Sequence, residues 1–304
     1  MQLGGASALC GLATQALAQR EGAASAVGPT PRGAPTLANG GALPRVGLGS
    51  WITFNVGNDA AARMQCADVM AAFFTAGGRM IDSSPMYGSS QAVIGEGLKK
   101  LNMLGRVYSA DKVWIAPASR GAAQMEASRT LWGVPRFDLM QVHNLLSWQE
   151  HLPVLMEMKA AGRVRHVGIT TSEGRRHAEV EALMARHPLD FVQFSYNLLD
   201  REAEQRLLPL AAERGIAVLV NRPFRQGALL QQLQRHPLPG WAAEIGCRHW
   251  AQVALKFVLA HPAVTCAIPA TSQVAHLRQN MDAARGPLPD AALRRRMAQD
   301  VAAL

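Results

Sequence analysis

The chain has 304 residues, enough for one large domain or two of ordinary size. Apolar residues make up 49% and charged residues 17%, a globular balance that leaves no room for extended disorder beyond the N-terminus. The formal charge of +9 suits an anionic partner, but no run of five or six basic residues occurs and no basic segment is rich in aromatics, so nucleic acid is not an expected partner.

The chain opens with small and apolar residues, "LGGASALCGLATQALAQREGAASA", carrying the A-x-A-like pattern "ALAQ". This reads as the back half of a secretory signal with cleavage after Ala18. A Tat-type signal, with a natural start upstream of Met1 and a periplasmic destination, is the expectation. An Ala/Gly-rich leader on a cytoplasmic protein is the alternative. Residues 19–43, rich in Gly, Ala, Pro and Thr, read as a linker, so that 1–43 precedes a single domain at 44–304. No segment is apolar over a length that spans a membrane.

After Leu43 short apolar runs alternate with longer helical patterns. The runs are "RVGLGSW", "RMIDSS", "RVYSADKV", "FDLMQVHN", "VRHVGITT", "FVQFSYN", "IAVLVNRP" and "TCAIPAT". Amphipathic stretches such as "DAAARMQCADVMAAFFTAG" and "SWQEHLPVLMEMKAAG" separate them. Gly77, Gly162 and Gly215 stand where helix C-caps are expected. Eight strand–helix units with near-continuous apolar strands predict an α/β protein of the closed (β/α)8 TIM-barrel class. An open doubly wound sheet is the alternative, but its G-x-G-x-x-G fingerprint does not follow the first strand.

In such a barrel the chemistry sits at the C-terminal ends of the strands. Three successive ends offer Asp82, Lys112 and His143, and Tyr87 follows Asp82 in the adjoining loop. A phenol with a pKa near 10 is a poor proton donor at neutral pH unless something tunes it. An ammonium beside it favours the phenolate, and a carboxylate beside the ammonium keeps that charged. Lys112 and Asp82 supply those two groups, while His143 can orient a substrate oxygen. This is a general acid suited to a carbonyl oxygen. With no side-chain nucleophile in evidence, hydride from a nicotinamide is the natural partner for that proton. The four cysteines, at 10, 66, 247 and 266, form no C-x-x-C pair, and no His/Cys/Asp group has ligand spacing, so no metal is expected.

The stretches "IDSSPMYGSSQAVIGEGL", "DKVW", "DLMQVHN", "GRVRHVGITT", "VQFSYNLLDRE" and "IPATSQVAHLRQN" together resemble the aldo-keto reductases, in that family's order, over roughly residues 45 to 285. The resemblance implies a (β/α)8 barrel that reduces an aldehyde or ketone with NADPH or NADH and acts as a monomer. It implies a catalytic tetrad of Asp82, Tyr87, Lys112 and His143. Ser50 and Trp51 would line the mouth, and Thr170, Thr171 and Gln193 would hold the nicotinamide carboxamide, with "TT" in place of the family's usual Ser-Asn. Asn221 replaces an aromatic residue, and Arg222 would reach the pyrophosphate. Thr271 and Ser272, expected to begin a helix, would meet the adenosine phosphate together with His276, which replaces a common arginine. Gln279 and Asn280 would face the adenine. NADPH is the expected cofactor and NADH the alternative. The substrate would be a small-molecule carbonyl, held by an apolar wall drawn from Trp51, Phe54, Trp114, Trp148 and Phe224. A non-catalytic barrel that binds nicotinamide nucleotide as a sensor or accessory subunit is the competing reading.

Overall fold

The computed structural model describes residues 36, 37 and 40–304. The signal-like segment with its "ALAQ" motif lies outside the described residues. Each of the eight apolar runs contributes one strand: β1 Leu48–Gly49, β2 Met80–Asp82, β3 Tyr108–Val113, β4 Phe137–His143, β5 Val164–Thr170, β6 Phe191–Ser195, β7 Ala217–Asn221 and β8 Val264–Ala267. All neighbours in the sheet are consecutive and parallel. Parallel bridges from Val46 to Ala267 and from Gly49 to Ala270 join the first strand to the last. The sheet is therefore a closed barrel, as expected, and not an open doubly wound one.

Eleven helices are described: α1 Ala60–Thr75, α2 Ser90–Lys100, α3 Gly121–Trp132, α4 Trp148–Ala160, α5 His177–Arg186, α6 Leu207–Arg214, α7 Ala228–Leu233, α8 Trp241–Glu244, α9 Trp250–Leu259, α10 Val274–Asp282 and α11 Ala291–Ala302. Their starts and ends follow local chemistry. Asp59 caps α1 by accepting from the Ala62 amide at 3.0 Å, satisfying a donor that the first turn leaves free. Gly77, Gly162 and Gly215 take positive φ beyond the ends of α1, α4 and α6. No helix among the described residues is long and apolar enough to cross a membrane.

Side chains alternate along each strand, and the two faces of the sheet diverge in chemistry. Outward residues such as Ile81, Val142, Ile169, Val192 and Val220 join the core under the helices. Inward residues form a separate cluster that includes Met80, Tyr108, Ala110, Leu139, Phe191, Leu219 and Cys266. Leu43 belongs to that inner cluster and Leu37 packs against it, so part of the segment read as linker seals the lower end of the barrel. One step further along the strands the inward positions turn polar: Asp82, Lys112, Gln141, Thr170 and Gln193 are all buried.

Helix packing around the barrel is close enough to set a single side chain. A Cβ at Gly95 in α2 would lie 1.9 Å from the Leu131 carbonyl oxygen of α3. Helix propensity alone favours alanine over glycine by roughly 1 kcal/mol. Forced overpacking costs about 1–3 kcal/mol, and here the obstacle is backbone rather than a flexible side-chain end. Gly95→Ala is therefore expected to lower the melting temperature in a thermal unfolding scan. A raised one would show that α2 and α3 separate freely.

Candidate active site

The polar upper layer is organised by one buried ion pair. Lys112 Nζ lies 2.5 Å from Asp82 Oδ1 and donates to the Ser83 carbonyl at 2.7 Å. Both side chains are almost wholly excluded from solvent. The second carboxylate oxygen of Asp82 accepts from Gln193 Nε2 at 3.0 Å and Gln141 Nε2 at 3.3 Å. Gln193 in turn accepts from Thr170 Oγ1 at 3.1 Å and Asn221 Nδ2 at 3.3 Å. Six strands, β2 to β7, are thereby tied into one hydrogen-bonded unit.

The loop after β2 brings Tyr87 over this unit. The Tyr87 amide donates to the Ser84 carbonyl at 2.9 Å, closing a tight turn. Gly88 continues it at φ 59°, where a Cβ would collide with the Asn55 side chain. This is why a phenol stands next to a glycine: the turn that aims the ring admits no larger residue after it. Lys112 Nζ is 5.1 Å from the centre of the Tyr87 ring. His143 presents its ring edge-on to Tyr87 at 5.7 Å, and the Trp114 ring lies 6.4 Å from His143. The structure thus brings Asp82, Tyr87, Lys112 and His143 together.

Electrostatics differ in one respect from the sequence expectation. Burial is the largest influence on Tyr87 and raises its pKa; Lys112 opposes this but does not reverse it. Burial alone would depress Lys112, yet Asp82, with Tyr87 and Asp111, leaves it above its ordinary value. His143 is pushed well below 6.5 by burial and then by the Lys112 charge, so it is neutral at pH 7. At rest the site holds a charged lysine, a neutral imidazole and a protonated phenol.

A cavity of about 850 Å³ opens from this centre. Its lining runs from Ser50, Trp51, Asp82, Tyr87 and His143 through Thr170, Gln193, Asn221 and Arg222 to Thr271, His276, Gln279 and Asn280. Ser50 is fixed by donating from Oγ to the Asp82 carbonyl at 2.9 Å. Two expected cofactor contacts stand apart. Thr171 is outside the lining, because strand alternation turns Thr170 inward, and its buried Oγ1 has no partner. Ser272 is also outside the lining, and its carbonyl accepts from Gln65 of α1 at 2.8 Å. The expected helix start at Thr271 is corrected as well. Thr271 Oγ1 accepts from the Gln273 amide at 3.1 Å, forming a local turn, and the helix begins only at Val274.

The apolar wall differs too. Trp51 and Phe224 line the cavity, but Phe54 is buried in the outer core and Trp148 hydrogen-bonds Glu179 of α5. Trp250, Leu230 and Leu238 take their place. They come from residues 222–251, which fold over the mouth as short helices with no clear period in the sequence. Ile52 and Met86 complete the rim, both exposed, Ile52 at an unusual φ of 64° for a β-branched residue. Gln141 was legible in principle: it lies two residues before His143, on the same inward face.

The cavity suits a nicotinamide nucleotide on its own donors. Amide and hydroxyl groups surround its inner end, and cationic or neutral nitrogen donors (Arg222, Arg248, His276) are also in its lining. Residues 45–296 match the model of the "Aldo/keto reductase family". The chain belongs to the aldo/keto reductase family. It is 28% identical over 234 residues to an NADH-specific methylglyoxal reductase of Escherichia coli, covering 66% of this chain and 69% of that one. A second methylglyoxal reductase of E. coli is 28% identical over 247 residues, covering 78% and 84%. Among solved structures, an aldo/keto reductase from Klebsiella pneumoniae in complex with NADP and acetate superposes with a TM-score of 0.72 at 25% identity, covering 86% of this chain and 93% of that one. These relatives are reductases and lend no support to a non-catalytic barrel.

All three tyrosines of the chain, Tyr87, Tyr108 and Tyr196, are raised above their ordinary value, in each case chiefly by burial. A phenol so shifted stays protonated as pH climbs through its usual midpoint. Tyrosinate absorbance is therefore expected to remain flat through about pH 10 while the fold is intact. A rise centred below 10 that Tyr87→Phe removes would show that Lys112 outweighs burial at Tyr87.

Proposed function

We propose that this aldo/keto reductase reduces an aldehyde or ketone to an alcohol, with Tyr87 as the proton donor. The observation that carries the reading is the buried Lys112 held by Asp82 beneath Tyr87, with His143 edge-on to the same ring, at the inner end of the cavity. When bound, the nicotinamide nucleotide supplies hydride to the carbonyl carbon. His143, neutral, donates a hydrogen bond to the carbonyl oxygen and fixes its position. Tyr87 Oη transfers its proton to that oxygen as negative charge develops there. Lys112 stabilises the phenolate left behind, and the resting preference for the protonated phenol keeps the donor loaded between turnovers. Asp82 keeps the ammonium charged and in place.

Ser50, Trp51, Thr170, Gln193, Asn221 and Arg222 would hold the nicotinamide half of the nucleotide, and Thr271, His276, Gln279 and Asn280 the adenosine half. Thr171 supports Asn221 from outside the lining, its carbonyl accepting from Asn221 Nδ2 at 2.8 Å, whereas Ser272 is turned to Gln65 of α1. Arg222 is shared with Glu173, to which it is ion-paired, so a pyrophosphate would compete with a carboxylate for that guanidinium. NADPH is the cofactor this reading favours, with NADH as the second. An imidazole at His276 grips a 2′-phosphate less firmly than a guanidinium would, which supports keeping both. The two methylglyoxal reductases make short α-dicarbonyls the first substrates to try. The proposed catalytic centre draws all its groups from one chain, so a monomer suffices for this reading. The "ALAQ" motif supports Tat-type export to the periplasm, a route that carries folded protein with its cofactor aboard.

Two experiments test this. In nicotinamide oxidation assays with NADPH and NADH run separately, Tyr87→Phe is expected to lower turnover at least about 100-fold while cofactor binding by fluorescence is unchanged. Wild-type rates in Tyr87→Phe would remove the phenol from the mechanism. For export, the protein recovered from its native host should have a mature N-terminus at Gln19 by mass spectrometry; an intact leader retained in the cytoplasm would overturn it.

A further inference from the structure

We propose that Ser84 is a positioning residue that fixes His143 as the Nε2–H tautomer, so that the ring presents a donor to the substrate oxygen. The proposal rests on the reading that His143 orients that oxygen. Ser84 is fully buried and sits in the turn between Asp82 and Tyr87. Its Oγ lies 2.8 Å from His143 Nδ1. The direction of that bond decides which nitrogen carries the ring proton.

The surroundings of Ser84 settle the direction. The Met86 amide donates to Ser84 Oγ at 3.2 Å, which occupies the oxygen as an acceptor. Among the described residues, His143 Nδ1 is the acceptor within reach of the Ser84 hydroxyl hydrogen. Were Nδ1 protonated, that buried hydrogen would go unmatched, and an unmade buried hydrogen bond costs about 1–3 kcal/mol. With Ser84 donating, every group is satisfied: Nδ1 is the acceptor and the proton resides on Nε2. Because His143 lines the cavity and Nδ1 is engaged behind it, Nε2 is the nitrogen available to a substrate. The imidazole is neutral at pH 7, so only one nitrogen bears a proton and the choice matters. The ring also meets Tyr87 at 5.7 Å and Trp114 at 6.4 Å between centroids.

The arrangement also couples the donor to the acid. The Tyr87 amide donates to the Ser84 carbonyl while the Ser84 hydroxyl serves His143. One residue therefore registers both groups that meet the carbonyl oxygen, the phenol through its backbone and the imidazole through its side chain.

The test is long-range 15N–1H NMR of histidine-labelled protein, with the His143 signals assigned as those lost in His143→Gln. The wild-type ring is expected as the Nε2–H tautomer. Ser84→Ala should give a mixed tautomer population and about a tenfold lower kcat with unchanged cofactor affinity, and Ser84→Thr, which keeps the hydroxyl, should restore both. A wild-type Nδ1–H ring would overturn the proposal even if neither variant folds. So would a His143 tautomer or kcat unmoved by Ser84→Ala. Failure of the catalytic reading is distinct: it would appear as retained turnover in Tyr87→Phe, which leaves the tautomer measurement untouched.

Discussion

A lysine ammonium buried inside a barrel is tolerable only if something else is buried with it. Lys112 meets that condition through Asp82, and Asp82 meets its own through Gln141 and Gln193. Removing one partner of such a pair strands a charge, at a cost of about 3–5 kcal/mol. The constraint propagates outward. Gln193 needs Thr170 and Asn221, and Asn221 accepts from Ser195. The upper barrel is thus polar as a unit, and its residues are held by one another as much as by anything they bind.

Most of this architecture was legible in the sequence, and the reasons for the rest are physical. The eight apolar runs gave the strands because parallel barrel strands are buried on both faces. Asp82, Lys112 and His143 were legible because they break those runs at equivalent points. Tyr87 followed from its place beside Gly88. The sign of the Tyr87 shift was not legible, since it depends on how much solvent the folded strand ends and loops remove from the phenol, which no spacing encodes. The start of α10 was misplaced by three residues because the Thr271 hydroxyl, which can begin a helix, here closes a turn instead. Trp148 and Phe54 were misplaced because an aromatic residue reads the same in a wall as in a core. Ser84 was invisible as anything but a turn residue: its partner lies 59 positions away on another strand.

The outer part of the cavity obeys a looser logic than the catalytic centre. Residues 222–251 reach the mouth through short helices and several residues of positive φ, among them Arg222, Arg225 and Gln226. Arg222 pairs with Glu173 and Arg225 with Asp200, so two carboxylates on neighbouring loops anchor this flap. Both pairs are partly exposed and individually weak. The same segment is held more firmly below, where Leu229, Leu233, Trp241, Ala242 and Ile245 are buried in the outer core and Trp241 Nε1 donates to Asp300 at 2.8 Å.

The inner cluster below the polar layer has a bearing on proton supply. Met80, Ala110, Leu139, Leu219 and Cys266 fill the barrel beneath Asp82 and Lys112, with Leu43 closing the base. The polar atoms of this layer, the Tyr108 hydroxyl and the Cys266 thiol, bond to His166 and to the Ala267 carbonyl and not to the ion pair above. In the mechanism proposed above, the proton that Tyr87 gives away would be replaced from above, by the same doorway through which alcohol departs. Recharging the acid and clearing the product would then be successive uses of one passage, with the site reset only after the product has left the throat.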